Sequence, residues 1–164
     1  MNTATLFNTI EDLVLHRAPM LLLNSVVSWD HGTLTASVDP QDSYLFFDAQ
    51  GDIPSWVGIE YMAQAISARA GIAALQRGEK PSVGFLLGTR KYTAQVSRFS
   101  PHQKLFVKVR ELLRDETNLV LFECKIYADE ILLASAEIKG IEPDNVNRVI
   151  TQFRQMLEAS GART

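Results

Sequence analysis

Residues 56–75 read W-V-G-I-E-Y-M-A-Q-A-I-S-A-R-A-G-I-A-A-L. A helix lying on a protein surface shows one apolar stripe and one polar face. This stretch is small or apolar on nearly every side, and only Glu60, Gln64, Ser67 and Arg69 interrupt it. It is about long enough to span a bilayer, but charges inside a membrane are costly, so the expected cover is protein. Ala63, Ala65, Ala68, Ala70, Gly71, Ala73 and Ala74 permit close approach of that cover. Glu60 sits one turn in. An acid on an enclosed helix gives up hydration and is either paired or kept for proton chemistry.

The cover is found on both sides of the helix. Before it, residues 20–29 are strand-like, Asp30-His31-Gly32 makes a turn, and Leu34, Ala36 and Val38 alternate with polar residues over 33–38. Residues 39–54 are rich in turn formers and read as a long irregular loop, a length that is usually functional. Pro54-Ser55 then opens the helix, with Ser55 as its N-cap, and Gly78 closes it. After the helix come four strand-like runs: 82–96, 104–113, 119–127 and 131–141. Short turns at 115–118 and 128–130 favour antiparallel neighbours. Residues 5–13 suit a short helix. Pro143 starts a C-terminal helix over about 143–159, with Val146, Val149, Ile150, Phe153, Met156 and Leu157 as one apolar stripe. The expected architecture is α+β: a six-stranded antiparallel sheet curled around one central helix, with a C-terminal helix added. A flat sheet would cover only one face of the helix.

The 164 residues fit one domain, 1–164, with a core over about 14–141. One cysteine excludes an intramolecular disulfide framework and a cysteine-based zinc site. Cys124 shares a strand face with Val120, Phe122 and Ile126 and reads as a buried structural thiol. The N-terminus has no basic region followed by an apolar run, so the expected location is the cytoplasm. Net charge is −3, yet residues 88–114 hold seven basic residues and one acid, Glu111. Such a patch suits an acidic partner or a phosphate-bearing ligand, or is a solvated strand face. Tyr92, Phe99 and Phe106 form no stacking series, which argues against nucleic acid.

Two stretches together resemble a known group. L-H-R-A-P-M-L-L-L (15–23) and G-I-E-Y-M-A-Q-A (58–65) resemble the FabA/FabZ-type 3-hydroxyacyl-acyl-carrier-protein dehydratases of the hotdog fold. With G-F-L-L-G-T-R-K-Y (84–92), the sequence is most similar to the dehydratase-like proteins of aryl polyene pigment clusters. The resemblance implies removal of water from 3-hydroxyacyl thioesters, with no metal or redox cofactor. It implies an acyl carrier protein as partner, a homodimer or an oligomer of dimers, or pairing with another dehydratase. Glu60 matches the family's helix carboxylate and Gln64 the amide one turn later. Backbone N–H groups around Ser55, Trp56 and Gly58 would polarise the thioester carbonyl. Phe46, Phe47 and Trp56 would wall an acyl tunnel, with Tyr44 beside them. Arg90, Lys91, Arg98 and Lys104 would receive the acidic carrier.

Two positions depart from the pattern. The family's catalytic histidine lies in a Gly-His-Phe-Pro loop fourteen positions before the carboxylate, where this chain has Phe46. The Pro-Gly before the helix has become Pro54-Ser55. Of the three histidines, His31 and His102 sit in turns and read as solvated. His16 enters the first strand and is the available base, or else orients the N-terminal segment. Glu60 is either its acid partner, or is paired with Arg17, or caps backbone donors near the helix start. Loss of the loop histidine leaves open a non-catalytic carrier-binding or partner subunit. A hotdog thioesterase, with Glu60 activating water, is a further alternative.

Overall fold

The computed structural model describes residues 6–161. Strands β1 (Ser25–Trp29) and β2 (Thr33–Val38) form a hairpin. A 3-10 helix, Pro40–Phe46, and the two-residue strand β3 (Ile53–Pro54) lead into α1 (Gly58–Gln76). Then follow β4 (Phe85–Ala94), β5 (Arg98–Phe99), β6 (Leu105–Arg114), β7 (Leu119–Ala128), β8 (Ile131–Ile141) and α2 (Val146–Gly161). The main sheet is antiparallel in the order β1-β2-β6-β7-β8-β4, and β3 pairs with β5. The six-stranded sheet and the central helix are those of the hotdog fold, with the C-terminal helix α2 added to it.

Alternation builds the sheet's inner face. Leu34, Ala36 and Val38 of β2, Leu105, Val107 and Val109 of β6, and Val120, Phe122, Cys124 and Ile126 of β7 are all buried against α1. The helix buries Tyr61, Met62, Ala65, Ala68 and Ile72 in return. Its other side carries Glu60, Ala63, Ile66, Ser67, Ala70 and Ala73, which are half-buried. So the sheet encloses one face of α1 rather than the whole helix. The all-round apolar pattern reflects a second face that borders a groove.

α1 closes where the sequence placed its end. Gly78 has φ +74 and its N–H donates to the Leu75 carbonyl, while the Glu79 N–H donates to Ala74, the paired bonds of a Schellman ending. Its start differs from expectation. Ser55 is not the cap, because a 3-10 turn, Ser55–Val57, precedes the helix and Val57 takes the cap position without a side-chain bond. The first strand is also shorter than expected. Residues 20–24 lie outside it: the Met20 carbonyl and the Leu22 N–H are bonded to Gln64, and only the Asn24 N–H reaches β2, at the Ser37 carbonyl. The loop 39–54 is partly ordered by Asp39, which caps the 3-10 helix by accepting from the Gln41 N–H. Of the expected helix 5–13 only Ile10–Asp12 is helical, and Thr5 lies outside the described residues. α2 begins at Val146, not Pro143, and none of its residues is buried.

β4 is paired only with β8 and forms one edge of the sheet. Leu86 and Leu87 on it are about half exposed.

Three inner groups titrate late. Burial pushes the Cys124 thiol up to about 12, and the Tyr61 and Tyr92 hydroxyls likewise to about 12. The corresponding groups of an unfolded chain ionise from about pH 8.5 (thiol) and pH 10 (tyrosines). The unfolded state therefore releases protons first. The associated stability is complete below those values and is lost as pH rises toward 12. The urea midpoint is expected to fall between pH 8 and pH 10.5. An unchanged midpoint would contradict the burial of these groups.

Candidate active site

Between the half-buried face of α1 and the β4–β8 end of the sheet lies a groove of about 760 Å³. His16 and Glu60 line it near the start of the helix, and Ala63, Ile66, Ala70 and Ala73 form its floor. Charged groups line much of the rest, among them Arg69, Glu111, Arg114 and Glu142, while Phe85, Phe122 and Ile138 add apolar surface, so the groove offers an acyl chain a partly apolar path rather than an apolar tunnel.

Gln64 assembles the reactive end. Its side chain is fully buried. Its Nε2 donates to Glu60 Oε1 at 2.8 Å and to the Met20 carbonyl at 2.8 Å, and its Oε1 accepts from the Leu22 N–H at 2.8 Å. One amide thus fixes the carboxylate and ties the N-terminal segment to α1. The i, i+4 spacing of Glu60 and Gln64 puts both on one side of the helix. The segment so anchored brings His16 Nε2 to 3.7 Å from Glu60 Oε1. The other ring nitrogen, Nδ1, is buried without a protein partner. Arg17 turns away: its guanidinium donates to the Val14 and His16 carbonyls at 2.8 and 2.7 Å. The alternative in which Arg17 pairs with Glu60 is therefore not what the structure shows. Nor is Glu60 enclosed within the single chain, where its side chain is 36% exposed.

Replacing Gln64 by leucine is expected to leave the Met20 carbonyl and Leu22 N–H without protein partners. Each buried group left unsatisfied costs about 1–3 kcal/mol. A loss of about 3 kcal/mol, read from urea unfolding, is expected, and a change below about 1 kcal/mol would show that the amide is dispensable.

The other anticipated positions lie elsewhere. Phe46 and Trp56 pack edge to face, with ring centroids 6.2 Å apart, and neither lines the groove. Trp56, Tyr44, Leu45 and Phe47 are exposed. The Ser55 N–H donates to the Ser97 carbonyl, and the Gly58 N–H is directed at the Ser55 carbonyl, so both are already engaged. The Tyr92 hydroxyl also donates to the Ser55 carbonyl. Gly58 is required by packing: a Cβ there would lie 2.6 Å from the Tyr92 hydroxyl and 2.9 Å from Ile126. Arg98 is bound to Asp48 at 2.7 Å, and Lys91 lies 3.8 Å from Glu137. Arg90 is exposed on β4, and Lys104 rests over the Phe106 ring. His31 and His102 are exposed, as expected for turn residues.

One group was missed by sequence reasoning. Arg69, also on the groove lining, is largely buried; it pairs with Glu111 at 2.6 Å and lies over the Phe122 ring. Arg114 continues the chain of charges from Glu111 to Glu142. The basic run contained this signal only as an isolated acid among cations.

A family model described as ApeP dehydratase, of the ApeP-like group, matches residues 8–151. The chain belongs to the ApeP-like dehydratase family. A solved structure titled the dehydratase heterocomplex ApeI:P from Xenorhabdus doucetiae is similar at 28% identity and TM-score 0.83, covering 90% of this chain and 98% of that one. Uncharacterized protein PH1136 from Pyrococcus horikoshii, at 13% identity and TM-score 0.60, covers 85% of this chain and 97% of its own. The phenylacetic acid degradation protein PaaI from Thermus thermophilus shares 9% identity at TM-score 0.54, covering 71% and 90%. These last two likenesses concern the fold alone. No curated protein matches the chain. The ApeP-like match spans the groove, His16, Glu60 and Gln64, and stops within α2. No helix among the described residues is long and apolar enough to cross a membrane.

Proposed function

We propose that the chain is a cytoplasmic dehydratase that removes water from 3-hydroxyacyl thioesters carried on an acyl carrier protein. The observation that carries this reading is the 3.7 Å approach of His16 to Glu60 at one end of an acyl-sized groove. Two proton-handling groups side by side can serve neighbouring carbons of one substrate. The imidazole takes the proton from the carbon next to the thioester carbonyl. The electron pair left behind forms the new double bond as the carbon–oxygen bond to the hydroxyl breaks. The Glu60 carboxyl gives its proton to the departing hydroxyl, which leaves as water. The imidazolium then returns a proton to the carboxylate, and the pair is reset. Gln64 is a positioning residue in this scheme. Arg90, Lys91 and Lys104 would meet the acidic carrier, with Arg98 partly occupied by Asp48.

A second reading is favoured by Phe46, which stands where the resembling dehydratases have their loop histidine, and by the similar chain found in a dehydratase heterocomplex. Here another dehydratase subunit docks on the exposed Tyr44, Leu45, Phe47 and Trp56 and supplies the imidazole. One experiment separates the readings. A carrier-bound 3-hydroxyacyl thioester is incubated with the chain alone, and enoyl product and free thiol are both followed. Enoyl product lost on His16→Ala supports the first reading. Enoyl product only when a second dehydratase chain is added, and insensitive to His16→Ala, supports the second. Thiol release without enoyl product would reject both in favour of a thioesterase.

A further inference from the structure

The groove changes character along its length. On α1 its floor runs from Glu60 through Ala63, Ile66, Ala70 and Ala73 to Arg77, just past the end of the helix. Steps of three and four keep these positions on one side of the helix. At 1.5 Å per residue the path from Glu60 to Arg77 is about 25 Å long. Phe122 and Ile138 supply an apolar wall beside its middle. The far end is charged instead. Arg114 pairs with Glu142 at 2.9 Å and with Glu111 at 3.0 Å, and Arg77 pairs with Glu79 at 2.8 Å. Arg77 lies within electrostatic reach of both Arg114 and Glu142, so these groups form one cluster.

We propose that the charged end is a chain-length stop, set by Arg114 and Glu142. The inference rests on the reading of the groove as an acyl path and concerns where that path ends. An alkyl chain gains by leaving water for apolar walls. Against an ion pair it gains nothing, because its methylenes displace water from the charges and offer no hydrogen bond in return. The far end is poorly placed to bear that loss. The Arg114 and Glu142 side chains are only 31% and 27% exposed, and Glu142 Oε1 is buried without a protein partner.

Nor does the cluster invite a charged chain end. Arg69, Arg77 and Arg114 are already matched by Glu111, Glu79 and Glu142, so the signs balance. An incoming carboxylate or ammonium would have to break a pair that exists. The acyl chain that fits is therefore plain and apolar, and extends no more than about 25 Å past the carbon held at Glu60.

The test is a binding series that needs no turnover. Saturated acyl chains of increasing length, joined to pantetheine through an amide, are titrated into the full chain by calorimetry. They carry no hydroxyl to lose. Affinity is expected to rise about two- to fourfold per methylene while the chain lies on the apolar floor. It should stop rising once the extended chain reaches about 25 Å past its third carbon. Arg114→Leu combined with Glu142→Leu replaces the ion pair by apolar surface and should move the break to longer chains. Should that variant unfold, Ala73→Phe, which fills the floor about 20 Å past Glu60, should move the break to shorter ones. A break that neither substitution moves would overturn the proposal. So would an affinity that keeps rising past the stop in the parent chain, or one that does not depend on length. Enoyl formation from the matching 3-hydroxyacyl thioesters is scored separately. A length break without product would keep the stop and reject dehydration, and product without a break would do the reverse.

Discussion

Glu60→Gln is expected to lower the rate of enoyl formation by about 10²–10⁴-fold, the range supplied by one positioned acid or base. Glutamine keeps the shape and can still accept from Gln64 Nε2, so the network holding the segment 20–22 stays intact. The urea midpoint should therefore move little. Loss of rate with an unchanged midpoint assigns Glu60 to chemistry; loss of both assigns it to structure. His16→Ala should reduce the rate by a comparable factor if the imidazole is the base. The two losses should not add in full in the double variant, because groups that act as one unit fail together. Additive losses would separate the roles of the pair.

Gly71→Ala is expected to be the most destabilising single methyl in the chain. Helix propensity alone predicts a gain of about 0.5–1 kcal/mol for alanine in mid-helix. Contact reverses the sign. A Cβ at position 71 would lie 2.1 Å from the Leu13 carbonyl oxygen and 2.8 Å from the Leu13 carbonyl carbon. These are main-chain atoms of a buried residue and cannot swing aside as a side-chain end does. Overpacking costs about 1–3 kcal/mol and occasionally more, and a backbone clash belongs at the upper end. A net loss of about 3 kcal/mol, seen as a fall of about 1–2 M in the urea midpoint, is the expected result. Since Leu13 lies three residues before His16, activity should fall as well. A midpoint at or above that of the parent would refute the close approach of the N-terminal segment to α1.

The elements that repeat their pattern over many residues were legible from the sequence. The alternation in β7 and β6, the small-residue run of α1 and its glycine ending all appear where expected. Short or borrowed features were not. β3 and β5 are two residues each, too brief for any period to register. Residues 20–22 look like strand, but a single buried amide, Gln64, takes the Met20 carbonyl and the Leu22 N–H, and no local signal announces a partner more than forty positions away. Ser55 has a capping side chain, yet the chain makes a 3-10 turn first. At the site, Glu60 and His16 were recognisable as residue types, while their 3.7 Å separation is a product of the Gln64 network. Arg69 looked like an interruption in a greasy helix, and its partner Glu111 sits on a distant strand.

The strand β4 has one further consequence. Its free side presents a row of unpaired peptide groups, with Leu86 and Leu87 beside them. The register slips at two places along it, and Lys91 adopts φ 51, so the exposed ladder is bent and charged rather than flat. Such irregularities discourage indiscriminate stacking of one molecule on the next. Any strand added at this edge would have to follow its bend and answer its charge, so the open side of the sheet is selective rather than sticky.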